Sequence, residues 1–297
     1  MYDTILVPTD GSDHAVRAAE HARYLARTFD ATIHVVTVVD VEAAGGAFDA
    51  GGVDEAFVHR LESEGERTVG EIESLLDDAE AVETAVLRGE PSEAILEYAA
   101  EHDAELLAMG THGRTGVRRY VAGSVTERVI RLADAPVLTV RATERSSASD
   151  YDDVLIPTDG SEPAAAAVDH GLEIAGRTGA RVHAVNVVDV GGLGATPDYT
   201  VPAELLSELR SQGEAATEAV ADRARDAGLK ATTAVKEGHP ARDIVQYADD
   251  NDVDLVAMGT AGRTGLNRYL LGSTTERVVR HAEQPVLAVN ARNRIDD

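Results

Sequence analysis

Apolar runs of four to eight residues alternate with longer stretches whose apolar positions recur at helical spacing. Thr4-Ile-Leu-Val7 is a short apolar run ended by Pro8, and Ala15, Ala18, Ala19, Ala22 and Leu25 then recur with a helical period after the capping candidates Asp10 and Ser12. Ile33 to Val39 is rich in β-branched residues and reads as a buried parallel strand. Residues 41–52 carry four glycines without periodicity and read as a loop, followed by a long amphipathic helix over about 53–78. A third strand is expected over 81–87, a helix capped by Ser92 over 92–101, a fourth strand over 104–109, a helix reaching about Arg131, and a fifth strand over 136–140.

The whole pattern then repeats. Tyr2-Asp-Thr-Ile-Leu-Val-Pro-Thr-Asp-Gly-Ser12 returns as Tyr151-Asp-Asp-Val-Leu-Ile-Pro-Thr-Asp-Gly-Ser161, an offset of 149 residues. Val38-Val-Asp40 matches Val187-Val-Asp189, Gly89 matches Gly238, and Pro136-Val-Leu138 matches Pro285-Val-Leu287 at the same offset. The expectation is two copies of one domain, 1–145 and 150–293, joined by a short polar linker. Strands alternating with helices argue for an α/β fold: two tandem five-stranded parallel sheets, doubly wound and Rossmann-like, of order 3-2-1-4-5. That order puts the switch point between strands one and four, where such sheets collect ligands beyond the strands' carboxyl ends.

The candidate chemistry lies at that point. Gly110, Gly113, Gly123 and Ser124 follow the fourth strand with spacing G-x2-G-x9-G-S, and Gly259, Gly262, Gly272 and Ser273 repeat it. Glycine suits a positive φ or a close approach of phosphate to backbone, and a helix start offers free N–H groups. The pattern lacks the G-K-[ST] of a P-loop, and it follows the wrong strand for a dinucleotide fingerprint. Asp10 and Asp159, just past the first strands, are either turn and cap residues or carboxylates for a ribose hydroxyl or a phosphate-bridging divalent ion. Arg114 and Arg263 are either solvated surface residues or phosphate contacts, and Thr111 and Thr260 are weaker candidates of the same kind. The histidines form no metal triad; His112 has Ala261 at its matching position.

Charge changes the picture of the surroundings. Against 27 Lys and Arg stand 53 Asp and Glu, a formal charge of -26 spread through every helix. Such a surface repels nucleic acid and anionic membranes at low salt and suits a salty, halophilic cytoplasm, the alternative being an ordinary acidic cytosolic protein. No apolar stretch approaches the roughly 20 residues of a membrane span, the start shows no signal peptide, and Cys is absent, so a cytoplasmic location is expected.

Taken together, Pro8-Thr-Asp10 and Pro157-Thr-Asp159 with the two glycine signatures closely resemble the universal stress protein family, as a tandem protein of its ATP-binding branch. The resemblance covers almost the whole chain. It implies that Pro8, Thr9, Asp10, Val38, Met109, Gly110, Gly113, Arg114, Gly123, Ser124 and Val125 border one nucleotide. Pro157, Thr158, Asp159, Val187, Met258, Gly259, Gly262, Arg263, Gly272, Ser273 and Thr274 would border a second. The implied cofactors are ATP with Mg2+ or Mn2+, the metal lying near Asp10 and Asp159, with no catalytic residue assigned. It further implies a stress-response binding or regulatory module, fifth strands that pair the domains into an intramolecular pseudo-dimer, and a homodimer as a further association. A slow ATPase, an adenylate-forming enzyme and a non-binding structural stress protein are the alternatives.

Overall fold

The computed structural model describes residues 1–41, 43, 55–77, 79, 81–113, 123–143, 150–191, 202–262 and 271–293. Arg114, Arg263, most of the expected glycine-bearing loop over 41–52, the linker up to Asp150 and the first two residues expected for the long helix lie outside them. The described chain divides into Met1–Ser149 and Asp150–Asp297.

Unit 1 runs β1 (Thr4–Pro8), α1 (Asp13–Phe29), β2 (Thr32–Val39), α2 (Glu55–Glu73), β3 (Val82–Arg88), α3 (Pro91–Glu101), β4 (Leu106–Gly110), α4 (Ser124–Leu132) and β5 (Val137–Val140). Its strands lie in the order β3-β2-β1-β4-β5, all parallel, with Ile5 opposite both Ile33 and Leu106 and Leu107 opposite Val137. Unit 2 repeats this as β6 (Asp153–Pro157), α5 (Glu162–Thr178), β7 (Arg181–Asp189), α6 (Ala203–Asp226), β8 (Ala231–Gly238), α7 (Pro240–Asp250), β9 (Leu255–Gly259), α8 (Ser273–His281) and β10 (Val286–Val289), closed by a 3-10 turn at Ala291–Asn293. Its order is β8-β7-β6-β9-β10, again parallel.

The near-continuous apolar character of the central strands has a direct cause: both faces are covered. Ile5, Leu6, Leu106 and Leu107 are wholly buried in unit 1, as are Val154, Leu155, Leu255 and Val256 in unit 2. Each such side chain contributes about 1.5–3 kcal/mol relative to exposure. The small residues of α1, Ala15, Ala18, Ala19 and Ala22, are buried too, so this helix lies close against β4. The outer strands β3 and β8 keep several exposed positions.

Three local expectations need correction. Ser92 does not cap α3; Glu90 does, its carboxylate accepting from Glu93 N–H at 2.9 Å and from Ser92 Oγ at 2.7 Å, while Pro91 occupies the first turn. Ser92 is instead buried. The third and fourth strands begin one and two residues later than their apolar runs suggest and each takes in one further residue, Arg88 and Gly110. Both shifts follow from parallel pairing, which a single strand's composition does not reveal.

Candidate functional site

β1 pairs with both β2 and β4, so the loops after β1 and β4 emerge side by side at the carboxyl edge. Asp10 sits in the first loop and Gly113 in the second. Asp10 Oδ1 accepts from Ser12 N–H at 3.1 Å, an Asx turn, and Ser12 Oγ accepts from Ala15 N–H at 3.3 Å to cap α1. The other carboxylate oxygen, Oδ2, faces the glycine loop: a Cβ on Gly113 would stand 2.5 Å from it. Unit 2 repeats the arrangement, with Asp159 Oδ1 taking Ser161 N–H at 2.9 Å and Oδ2 lying 3.0 Å from a Cβ on Gly262. Asp10 and Asp159 are therefore both turn residues and crevice carboxylates.

Backbone twist does not explain the loop glycines. None of Gly110, Gly113, Gly123, Gly259, Gly262 and Gly272 has a positive φ; the twist sits at Gly11 and Gly160, with φ of 74° and 75°, next to the aspartates. Close approach is what the loop glycines supply. A Cβ on Gly110 would meet His14 Cβ at 2.7 Å, and one on Gly259 would meet the Pro163 carbonyl oxygen at 2.6 Å. The first turn of α1 or α5 thus presses on the end of β4 or β9.

Gly123 and Gly272 occupy the N-cap positions of α4 and α8, and no side chain caps either helix. Ser124 and Ser273 are the first helical residues, followed by Val125 and Thr274, so they act with the helix start rather than as caps. Thr126 Oγ1 donates to the Gly110 carbonyl at 2.8 Å and Thr275 Oγ1 to that of Gly259 at 2.7 Å. Gly123 N–H and Gly272 N–H each reach the carbonyl of Thr111 or Thr260 at 2.7 Å. These bonds bring each helix N-terminus to the end of its strand. The N–H groups of a helix start that no side chain caps attract an anion at that point.

In unit 2 a cleft of about 420 Å³ is lined by Pro157, Thr158, Asp159, Val187, Met258, Gly259, Gly262, Gly272, Ser273 and Thr274. The second-copy positions implied by the resemblance and described by the structure meet there, whereas the weaker candidate Thr260 is not among the lining residues. In unit 1 a cleft of about 300 Å³ is lined by Asp10 and Val38 together with Asp40, Leu61 and Glu64. Pro8, Met109 and Thr9 are buried at the strand ends, and Gly11 N–H donates to Thr9 Oγ1 at 3.1 Å. Their unit 2 counterparts Thr158 and Met258 are buried alike.

Several lining residues escaped the motif reading. Asn186 Nδ2 donates to the Thr158 carbonyl at 2.7 Å, tying β7 to the loop after β6. A Cβ on Gly213 would stand 2.4 Å from Asn186 Oδ1, and one on Gly65 would stand 3.0 Å from Val86. These glycines let α6 and α2 close over the cleft. A glycine inside a helical pattern was the available signal.

Among the described residues no group of three or more His, Asp and Glu side chains forms a metal cage. A single carboxylate such as Asp10 or Asp159 still suffices for a Mg2+ that keeps waters and takes its other ligands from phosphates. Also among these residues, no helix is long and apolar enough to cross a membrane.

The Universal stress protein family profile matches residues 1–141 and 150–290. A universal stress protein of Methanocaldococcus jannaschii, MJ0531, is 43% identical over 144 residues, covering 47% of this chain and 82% of the relative. One from Mycolicibacterium smegmatis is 27% identical over 301 residues, 97% of each chain. The crystal structure of a universal stress protein from Archaeoglobus fulgidus shares the fold, with a TM-score of 0.72 at 20% identity over 97% of this chain and 96% of that one. With both halves matched and the same two-unit architecture in full-length relatives, the chain belongs to the universal stress protein family.

Proposed function

We infer that each unit binds one adenine nucleotide, ATP with Mg2+ or Mn2+, and that the chain acts as a stress-response binding or regulatory module. One observation carries this reading. In both units a carboxylate from the β1-type loop stands against a glycine of the β4-type loop, beside a helix start without a side-chain cap. The carboxylate suits a ribose hydroxyl or a phosphate-bound metal; the glycine loop and helix start suit phosphates. Val38 and Val187, at the rims of the two clefts, provide apolar surface for a base. The metal supplies charge neutralisation between phosphates when bound with the nucleotide, and Asp10 and Asp159 are the residues that would hold it.

The described crevices contain no lysine against the glycine loops and no assigned general base, which favours binding over rapid phosphoryl transfer. Slow hydrolysis and adenylate formation use the same crevice and are separated by product: ADP for one, AMP with pyrophosphate for the other. Isothermal titration with ATP–Mg2+ in high salt tests the binding itself. Two sites per chain are expected; absence of heat together with unchanged proteolysis removes the reading.

A further inference from the structure

The two clefts share one end, where the second strand of each sheet finishes against the long helix that follows it. Thr37 and Val38 of β2 stand there with Leu61 and Gly65 of α2 in unit 1. Asn186 and Val187 of β7 stand there with Leu209 and Gly213 of α6 in unit 2. The strands match at an offset of 149 residues, but the helix walls match at 148, as Leu61-Glu-Ser-Glu-Gly65 against Leu209-Arg-Ser-Gln-Gly213. Two sets of contacts fix that register. Gly65 packs on Thr37 and Val86, and Gly213 packs on the matching strand positions, Asn186 and Val235. Glu62 pairs with Arg88 between α2 and β3, and the pair recurs with its charges exchanged, Arg210 with Glu237, between α6 and β8. Thr37 and Asn186 therefore hold the same place in the two clefts.

Their chemistry differs. Asn186 is half-buried, and its Nδ2 donates to the Thr158 carbonyl at 2.7 Å. A carbonyl only accepts, so this bond settles which end of the amide faces the loop after β6. Oδ1 is turned toward α6, where Gly213 leaves it room: a Cβ at that position would run into it. The unit 2 cleft thus carries an oxygen that only accepts, held in one orientation, next to the apolar surface of Val187. Thr37 instead sets its methyl group against Gly65, and its hydroxyl donates or accepts as a ligand requires. The other polar pair on this wall, Glu64 and Gln212, is exposed, so water competes for its bonds.

We propose that Asn186 Oδ1 accepts the exocyclic amine of adenine and makes unit 2 selective for 6-amino over 6-oxo purines, whereas Thr37 leaves unit 1 tolerant of both. This rests on the adenine-nucleotide reading of the clefts. A 6-oxo purine sets its own carbonyl oxygen against Asn186 Oδ1, and two acceptors that have lost water form no bond. Turning the amide to offer Nδ2 abandons the Thr158 carbonyl, so the mismatch is not relieved. Asn186 touches the base and determines specificity; Gly213 is a positioning residue that acts through it.

The experiment is isothermal titration of the full-length chain in high salt with ATP–Mg2+ and with inosine triphosphate–Mg2+, which carries the 6-oxo group. A Gly113→Val chain reports unit 2 and a Gly262→Val chain reports unit 1. The triphosphate and its metal are common to both nucleotides and cancel in the affinity ratio. The preference for ATP should be about 10- to 100-fold greater in unit 2 than in unit 1. N186T should reduce the unit 2 ratio to that of unit 1, and T37N should raise the unit 1 ratio. The unaltered chain gives the same comparison without silencing, with one tight and one weak inosine triphosphate site expected. Equal ratios in the two units overturn the inference while the nucleotide reading stands. So does an N186T chain that keeps the excess, or that weakens both nucleotides alike, since a structural role alone does that. Absence of binding by either nucleotide to any chain overturns both. If N186T fails to fold, G213A decides, because it keeps Asn186 but crowds Oδ1: an undiminished ratio in that variant sinks the proposal.

Discussion

Asp10 Oδ2 and Gly113, far apart in the chain, are so close that a Cβ added to Gly113 would stand 2.5 Å from the carboxylate oxygen; the same pair in unit 2, Asp159 and Gly262, leaves 3.0 Å. A contact below 3 Å forces something to shift, so the glycine holds the carboxylate's place as well as leaving room for a ligand.

Gly113→Val and Gly262→Val should each remove one nucleotide site. Displacing the aspartate or straining the loop costs about 1–3 kcal/mol, which corresponds to a roughly 5- to 150-fold weaker Kd. Gly113→Ala should weaken its site more than Gly262→Ala, because its gap is tighter. Titration stoichiometry and melting temperature on the same samples check this. Unchanged stoichiometry with a lowered melting temperature would make the contact purely structural.

Asp10→Asn and Asp159→Asn separate the carboxylate's two jobs. An amide oxygen keeps the turn to Ser12 or Ser161, so stability should hold, while the metal dependence of nucleotide binding should fall at the altered site. Asp10→Ala loses both, with a stability cost of about 0.5–2 kcal/mol for the missing turn bond. Titrations with and without Mg2+ distinguish the cases; an Asn variant with unaltered Mg2+ dependence would free the aspartate of any metal role.

Thr126→Val and Thr275→Val remove the hydroxyls that hold the Gly110 and Gly259 carbonyls. A net loss of about 0.5–1.5 kcal/mol is expected for each, lowering the melting temperature by about 2–6 °C. Nucleotide affinity should fall as well, because the helix start is no longer pinned to the strand end. Thr→Ser should restore both, and its failure to do so would assign the effect to packing of the methyl group.

Acid should destabilise unit 2 through His170. Burial pushes this histidine below its ordinary value of 6.5, while its Nε2 donates to the Asn293 carbonyl at 2.7 Å. The folded state therefore binds the proton less readily than the unfolded chain. The stabilising contribution is complete above about pH 6.5 and is lost as pH falls from there toward the depressed folded value. Melting temperatures between pH 5 and 8 should show this decline, flattened in His170→Gln. An unaltered pH slope in that variant would remove His170 as the cause.

Salt should stabilise the chain. A formal charge of -26 repels itself at low ionic strength, and at 1 M the Debye length falls to about 3 Å. The surface ion pairs screened at the same time contribute only about 0–1 kcal/mol each, so relief of repulsion dominates. Raising KCl from 0.1 to 2 M should raise the melting temperature; a fall would refute the halophilic reading of the composition.

The duplication, the element order and the meeting of Pro-Thr-Asp with the glycine loop were legible in the sequence, because local spacing and β-branched runs report what each segment does by itself. Strand order 3-2-1-4-5 followed from packing rules, and the pairing of β1 with β2 and β4 agrees with it. What the glycines are for was not legible. A glycine looks the same whether it supplies twist or room, and only the folded chain puts the twist at Gly11 and Gly160 and the room at Gly113 and Gly262. Glu90 displaced Ser92 as the cap, and Thr126 and Thr275 emerged as the anchors of the helix starts, because each makes its bond to a group that spacing alone does not locate. The hydrogen-bonded chain His14–Thr111–His112, and its absence from the second copy, likewise required tertiary structure. His14 comes from α1 and Thr111 and His112 from the segment after β4, and only the parallel sheet brings those two places to one edge.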